Sequence, residues 1–210
     1  MKTTRFLAAV FLFSGFSSLI YQVVWQRVLS LQFGMGATSI TIIVSVYMLG
    51  LGLGALVGGL VFDTIRNKVL TYCVVEMLIG AFGLVSLPLF DTLFALHSGQ
   101  DAPLLYLTVF LFLCVPTFLM GTTLPLLVKI FNVYEGVFFT TVSKLYFVNT
   151  LGAALGSLFA SYLLISFWGL DTTVYVAVGI NVVLALAMLF FRNQPTVFEA
   201  PTSLPPIRPR

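Results

Sequence analysis

Six long apolar runs separated by short polar breaks organise this chain, at residues 6–30, 37–62, 69–90, 104–128, 144–168 and 170–191. A hydrocarbon core about 30 Å thick is spanned by about 20 helical residues, so each run is long enough to cross a bilayer. The pattern predicts an all-α membrane protein: a six-transmembrane-helix bundle over 1–192, followed by a proline-rich tail over 193–210. Pro195, Pro201, Pro205, Pro206 and Pro209 make that tail an extended tether or a disordered end.

Small residues within the runs suggest how the helices group. Gly50, Gly54 and Gly58 recur at i, i+4, i+8 in the second run, and Gly152, Gly156 and Ala160 repeat that spacing in the fifth. The offset also superimposes the third run on the sixth, which predicts two inverted three-helix units. Gly50, Gly52 and Gly54 imitate part of a dinucleotide fingerprint, but no strand precedes them, so they are read as a helix-packing face and no cofactor is expected.

Composition agrees with the pattern: 60% of the residues are hydrophobic, 8% are charged and the mean hydropathy is +1.09. The net charge of +3 therefore reports topology and does not point to a nucleic-acid partner. Lys2, Arg5, Arg66, Lys68, Lys129, Lys144, Arg192, Arg208 and Arg210 all fall on one side of a six-span model, which the positive-inside rule makes cytoplasmic. Asp91, His97, Asp101, Asp171 and Arg27 fall on the other, where Trp25 and Trp168 suit an aromatic belt. The expected location is a bacterial-type inner membrane with both termini in the cytoplasm. Lys2 and Arg5 before an apolar run resemble a signal peptide, but no small-residue cleavage site precedes Tyr21, so the run is read as an uncleaved first helix. Cys73 and Cys114 sit inside apolar runs, where a thiol packs as a small hydrophobe; no metal site is expected.

Glu76 is the carboxylate placed deepest in an apolar span. An ionised side chain at bilayer depth costs at least ~2.5–3.5 kcal/mol, so such a residue is paired, protonated or facing water, and is a functional candidate by default. Matching the antiparallel helices by depth brings Thr122, Thr123, Tyr146 and Asn149 to its level, as a polar pocket for a solute or ion. The plainer alternative is a neutral Glu76 bonded to a neighbouring helix. Near the opposite face, Tyr21, Gln22, Trp25 and Arg27 form a second cluster. Two aromatic rings one turn apart suit an organic cation, whereas the alternative is an interfacial belt with Arg27 reaching towards headgroups. Pro116 and Pro125 flank Gly121 in the fourth run and mark a possible hinge.

The segments Phe13-Ser-Gly-Phe-Ser-Ser-Leu-Ile-Tyr-Gln-Val-Val-Trp-Gln-Arg, Met120-Gly-Thr-Thr-Leu-Pro-Leu-Leu and Leu145-Tyr-Phe-Val-Asn-Thr-Leu-Gly-Ala-Ala-Leu-Gly resemble the membrane part of fused spermidine-synthase-like proteins. In that family membrane helices precede a soluble aminopropyltransferase-like domain. The sequence stops at Arg210, where that domain would begin, so no aminopropyl transfer is expected from it and the chain is not read as an enzyme. More loosely, the stretch from Gly59 through Asp63, Arg66 and Lys68 is similar to the loop motif between helices two and three of the major facilitator superfamily. It departs from the motif at Thr64 and Arg66. Six helices would equal half of such a transporter, which implies a homodimer or a partner subunit in addition to the lipid bilayer.

Two functions follow as expectations. One is a membrane module that binds or transports a small, amine-type solute at Glu76. The other is a non-transporting scaffold that docks a partner enzyme, an aminopropyltransferase-like protein among the options, or a membrane complex.

Overall fold

The structure, a computed structural model, describes residues 2–33, 37–97, 102–130 and 138–192, and all its regular elements are helical. Four helices come first: α1 (Lys2–Phe33), α2 (Ala37–Val61), α3 (Lys68–Leu96) and α4 (Ala102–Ile130). The fifth helical stretch has two arms, α5a (Phe138–Phe159) and α5b (Ile165–Arg192), joined by a π-helical turn at Ala160–Leu164. In lipid the backbone has no water to bond with, so long apolar segments close their hydrogen bonds internally as helices. The α2–α3 connection shows what ends one: Asn67 sits before α3, and its Oδ1 accepts the Leu70 N–H at 3.2 Å.

The six-helix expectation is corrected here. Five stretches are long and apolar enough to cross a membrane, and the last, Val142–Phe190, is 49 residues long. Runs 144–168 and 170–191 fall within that one stretch, so the six separate spans expected are not shown. The only break between them is Gly169, whose φ of 78° and ψ of −179° are non-helical, and the helical pattern resumes at the next residue. A single glycine supplies the break without a polar linker, and helix lies on either side of it. With five stretches the half-facilitator bundle and its division into two inverted three-helix units are not retained. The proline-rich tail, Gly99, Asp101 and most of the expected loop after the fourth run lie outside the described residues.

Contacts fix the directions of the elements. Ser14, Tyr21 and Trp25 of α1 meet Glu76, Gly83 and Ser86 of α3 in the same order, so these helices run in the same sense. On α5b, Ala185 meets Cys73 while Asn181 and Val178 lie beside Gly80, so that arm runs against α3.

Glycines set how closely the helices approach. Gly54 packs on Phe118 and Gly121, and Gly58 on Thr122 and Pro125, seating α2 on α4. Gly152 and Gly156 meet the backbone of Leu12 and Phe16, seating α5a on α1, where Gly15 in turn faces Asn149. A Cβ at Gly54 or at Gly156 would lie 2.9 Å from a Cα of the facing helix, so both seams need glycine.

Polarity is distributed as a membrane requires. Met48, Leu60 and Phe167 are more than 70% exposed, whereas Ser14, Ser17, Glu76, Ser86, Thr117 and Asn181 are buried. Two apolar clusters occupy opposite ends. One gathers Leu7, Phe62, Val69, Ile130, Leu145 and Met188, which places the flanking Arg5, Arg66, Lys68, Lys129 and Lys144 at the same end of the bundle. The other centres on Trp25, Val46, Phe90, Val109 and Val174.

Candidate functional site

Glu76 lies on the buried face of α3 and has no exposed surface. Its carboxylate is held from two other elements. The Ser14 hydroxyl on α1 donates to Oε1 at 3.0 Å, and the Asn181 amide on α5b donates to Oε2 at 2.9 Å. Ser14 is itself placed by the glycine seam, because Gly15 beside it lets α5a approach α1 closely. Both carboxyl oxygens thus receive a hydrogen bond from another helix.

Three buried side-chain oxygens lack a hydrogen-bond partner among the described residues: Tyr21 Oη, Tyr72 Oη and Asn181 Oδ1. All belong to residues around Glu76. Tyr72 lies one turn before it on α3, and both tyrosine hydroxyls are within electrostatic reach of the carboxylate. Unsatisfied buried oxygens are rare in folded proteins, so their grouping around one carboxylate marks a polar site whose hydrogen bonding is incomplete within the chain.

A cavity of about 340 Å³ opens beside this node. Ser14, Ser17, Ser18, Glu76, Thr123, Tyr146, Asn149 and Asn181 supply its polar lining, and Phe11, Leu51, Ile79, Met120 and Leu124 its apolar walls. Small-molecule sites run from ~300 to ~1,000 Å³, so this one suits a small solute. Thr123 and Ser18 direct their hydroxyl hydrogens to the carbonyl and the sulfur of Met120, at 2.7 and 3.1 Å, which leaves their oxygen lone pairs as acceptors.

Four of the five residues chosen from sequence line this one cavity: Glu76, Thr123, Tyr146 and Asn149. Thr122 does not. It is buried on the α2–α4 seam beside Gly58, with its hydroxyl bonded to the Leu119 carbonyl at 2.7 Å. Sequence reasoning missed Ser14 and Asn181, the two direct partners of Glu76. Asn181 carries a readable signal, as the one amide in the run 170–191, and a buried amide in lipid needs a partner much as a carboxylate does. Ser14 has no such mark, since it sits among Ser17 and Ser18.

The second cluster is not one site. Tyr21 and Trp25 are fully buried and stacked on each other, with ring centroids 5.3 Å apart. Trp25 Nε1–H donates to Ser86 Oγ at 3.1 Å, and Tyr47 and Phe82 pack around its ring. An organic cation has no access to such a pair, and Trp25 is a core residue, not part of an aromatic belt; Trp168, 60% exposed, fits that role. Gln22 is half-buried and Arg27 exposed, and Arg27 lines a separate cavity.

The motif-like loop is a clamp. Lys129 at the end of α4 pairs with Asp63 at 2.8 Å and also donates to the Gly59 carbonyl. Lys68 turns back to the Ile65 carbonyl at 3.2 Å, and Arg66 is exposed. None of these residues lines the Glu76 cavity. Among the described residues no group of three or more His, Cys, Asp or Glu side chains is placed to hold a metal ion.

Comparison of the chain with family models, with curated proteins and with solved structures finds no match.

Proposed function

We propose that the Glu76 cavity binds a small amine-type solute, and that the chain is a membrane module that binds or moves it. The observation that carries this reading is the pairing of a buried carboxylate with an unpartnered acceptor, Asn181 Oδ1, at the wall of one cavity. An ammonium group has donors only, and the lining offers acceptors to match: Glu76, Asn181 Oδ1 and the lone pairs of Thr123 and Ser18. The apolar walls from Phe11, Leu51 and Ile79 suit methylene groups of an alkylamine. A bare divalent cation would find only one carboxylate there, short of the oxygen shell it prefers.

The gathering of basic residues at one end supports an orientation in which that end faces the cytoplasm, in a bacterial-type inner membrane.

Glu76→Gln tests the reading because it removes the charge and keeps the shape. Asn181 has a free Oδ1, so a flip of its amide accepts the new Gln N–H without loss of packing. In purified protein and in reconstituted vesicles, binding and uptake of a primary alkylamine and an alkyl diamine should fall by at least about tenfold, or ~1.4 kcal/mol, while the thermal midpoint holds. Amine binding and uptake at the wild-type level in Glu76→Gln would overturn it. If neither protein binds an amine, a scaffold function takes its place.

A further inference from the structure

A second cavity, of about 590 Å³, lies between α1, α2 and the π-helical turn, and shares no residue with the Glu76 cavity. Gln26, Arg27 and Ser30 line it from α1, Ser161 and Ser166 from the fifth stretch, and Val23, Ile40 and Ile165 supply apolar wall. We propose that this cavity is a binding site for a phosphate ester, with Arg27 as its counter-charge. The proposal does not depend on the amine reading of Glu76.

Charge carries the first step. The lining holds one cation and no acid, and among the described residues Arg27 has neither an ion pair nor a hydrogen bond. A guanidinium offers five donors in a planar fork suited to phosphate oxygens. The Gln26 amide and the Ser161 hydroxyl add donors beside it, while Ser30 is shared with Ser39 at 3.2 Å. A cationic ligand would meet repulsion and no acidic partner.

The π-helical turn carries the second step. Residues five apart in an α-helix point roughly 140° away from each other, so Ser161 and Ser166 would diverge in a regular helix. Widening by one residue per turn brings them together, and Ser166 Oγ–H donates to the Ser161 carbonyl at 3.2 Å. That bond satisfies a carbonyl in the widened turn, and both serines line the cavity. Single π-turns inserted in α-helices occur often at functional sites because they re-aim side chains in this way.

Depth carries the third. Arg27 is six residues from the end of α1, roughly 9 Å along its axis, and exposed Trp168 follows Ile165 by less than one turn. This is the level at which a membrane presents phosphate groups, and Val23, Ile40 and Ile165 provide the apolar contact that an esterified phosphate needs and a bare ion does not. The source is either a lipid headgroup or a free phosphate compound.

The test uses the full chain in a non-ionic detergent without phosphate buffer. It is titrated with a short-chain phosphatidylglycerol, with the matching diacylglycerol and with inorganic phosphate, and binding is read by native mass spectrometry. The phospholipid should bind and the diacylglycerol should not. Arg27→Gln should weaken phospholipid binding by at least about tenfold, with Arg27→Lys intermediate because it keeps the charge and loses the fork. Displacement of the lipid by millimolar inorganic phosphate assigns the site to free phosphate compounds, and resistance to it assigns the site to headgroups; either supports the phosphate site. Should Arg27→Gln fail to fold, Ser161→Ala keeps the cation and should cost about threefold. Equal binding of phospholipid and diacylglycerol, no binding of any phosphate probe, or unchanged phospholipid binding in the variants would overturn the proposal.

Discussion

Glu76 and Asp63 are both carboxylates with a protein partner, and they sit in opposite surroundings. Asp63 is 74% exposed and meets Lys129 at 2.8 Å. Glu76 is wholly buried and meets no cation among the described residues; the hydroxyl of Ser14 and the amide of Asn181 donate to it. An exposed carboxylate is stabilised by water whether or not its partner is present, so its ion pair contributes about 0–1 kcal/mol. A buried one has only the protein to stabilise it, so each hydrogen bond it receives matters more. The Asp63 pair therefore trims a loop, whereas Glu76 ties α1, α3 and α5b together at one point and leaves acceptors over for a ligand.

Removing a partner from each carboxylate separates the two cases, and the largest effect is expected at Asn181. Asn181→Leu leaves the Glu76 carboxylate one donor short, and should cost about 2–3 kcal/mol in the thermal stability of the detergent-solubilised protein. Adding Glu76→Leu should restore most of that loss, since removing both members of a buried polar pair is close to neutral. No recovery in the double variant would mean that Asn181 acts through packing and not through the carboxylate.

At the clamp, Lys129→Met removes the Asp63 pair and the bond to the Gly59 carbonyl together, and should cost about 1 kcal/mol. Asp63→Asn removes only the exposed pair, and a loss below about 1 kcal/mol, shrinking further in 0.5 M salt, is expected. A loss at Asp63 as large as that at Asn181 would erase the distinction between them. The smallest effect has the opposite sign. Tyr21→Phe deletes a buried hydroxyl without a partner and should raise stability by up to about 1 kcal/mol, with amine binding unchanged because Tyr21 does not line the cavity.

Much of the Glu76 site is legible in the sequence, for a physical reason. A carboxylate inside an apolar run is costly enough in lipid to announce itself, and Thr123, Tyr146 and Asn149, matched to it by depth, line the same cavity. Depth says nothing about rotation around a helix axis, and Thr122, one residue from Thr123, faces the α2 seam instead. Rotation also separates the second cluster: neighbours in sequence on α1, Trp25 and Arg27 end in the core and in an exposed cavity respectively.

By itself the sequence determined that the protein is built of long apolar helices suited to a membrane. Apolar runs of this length have no soluble alternative, and the polar segment at 63–67 lies between the end of α2 and the start of α3. Tertiary structure decided how the last two apolar runs join: they follow one another in a single stretch, with Gly169 its non-helical point. It also decided which residues complete the site. Ser14 and Asn181 lie 62 and 105 positions from Glu76. No local pattern encodes such a meeting; it follows from glycine seams that set how closely the helices approach and which faces they turn towards the carboxylate.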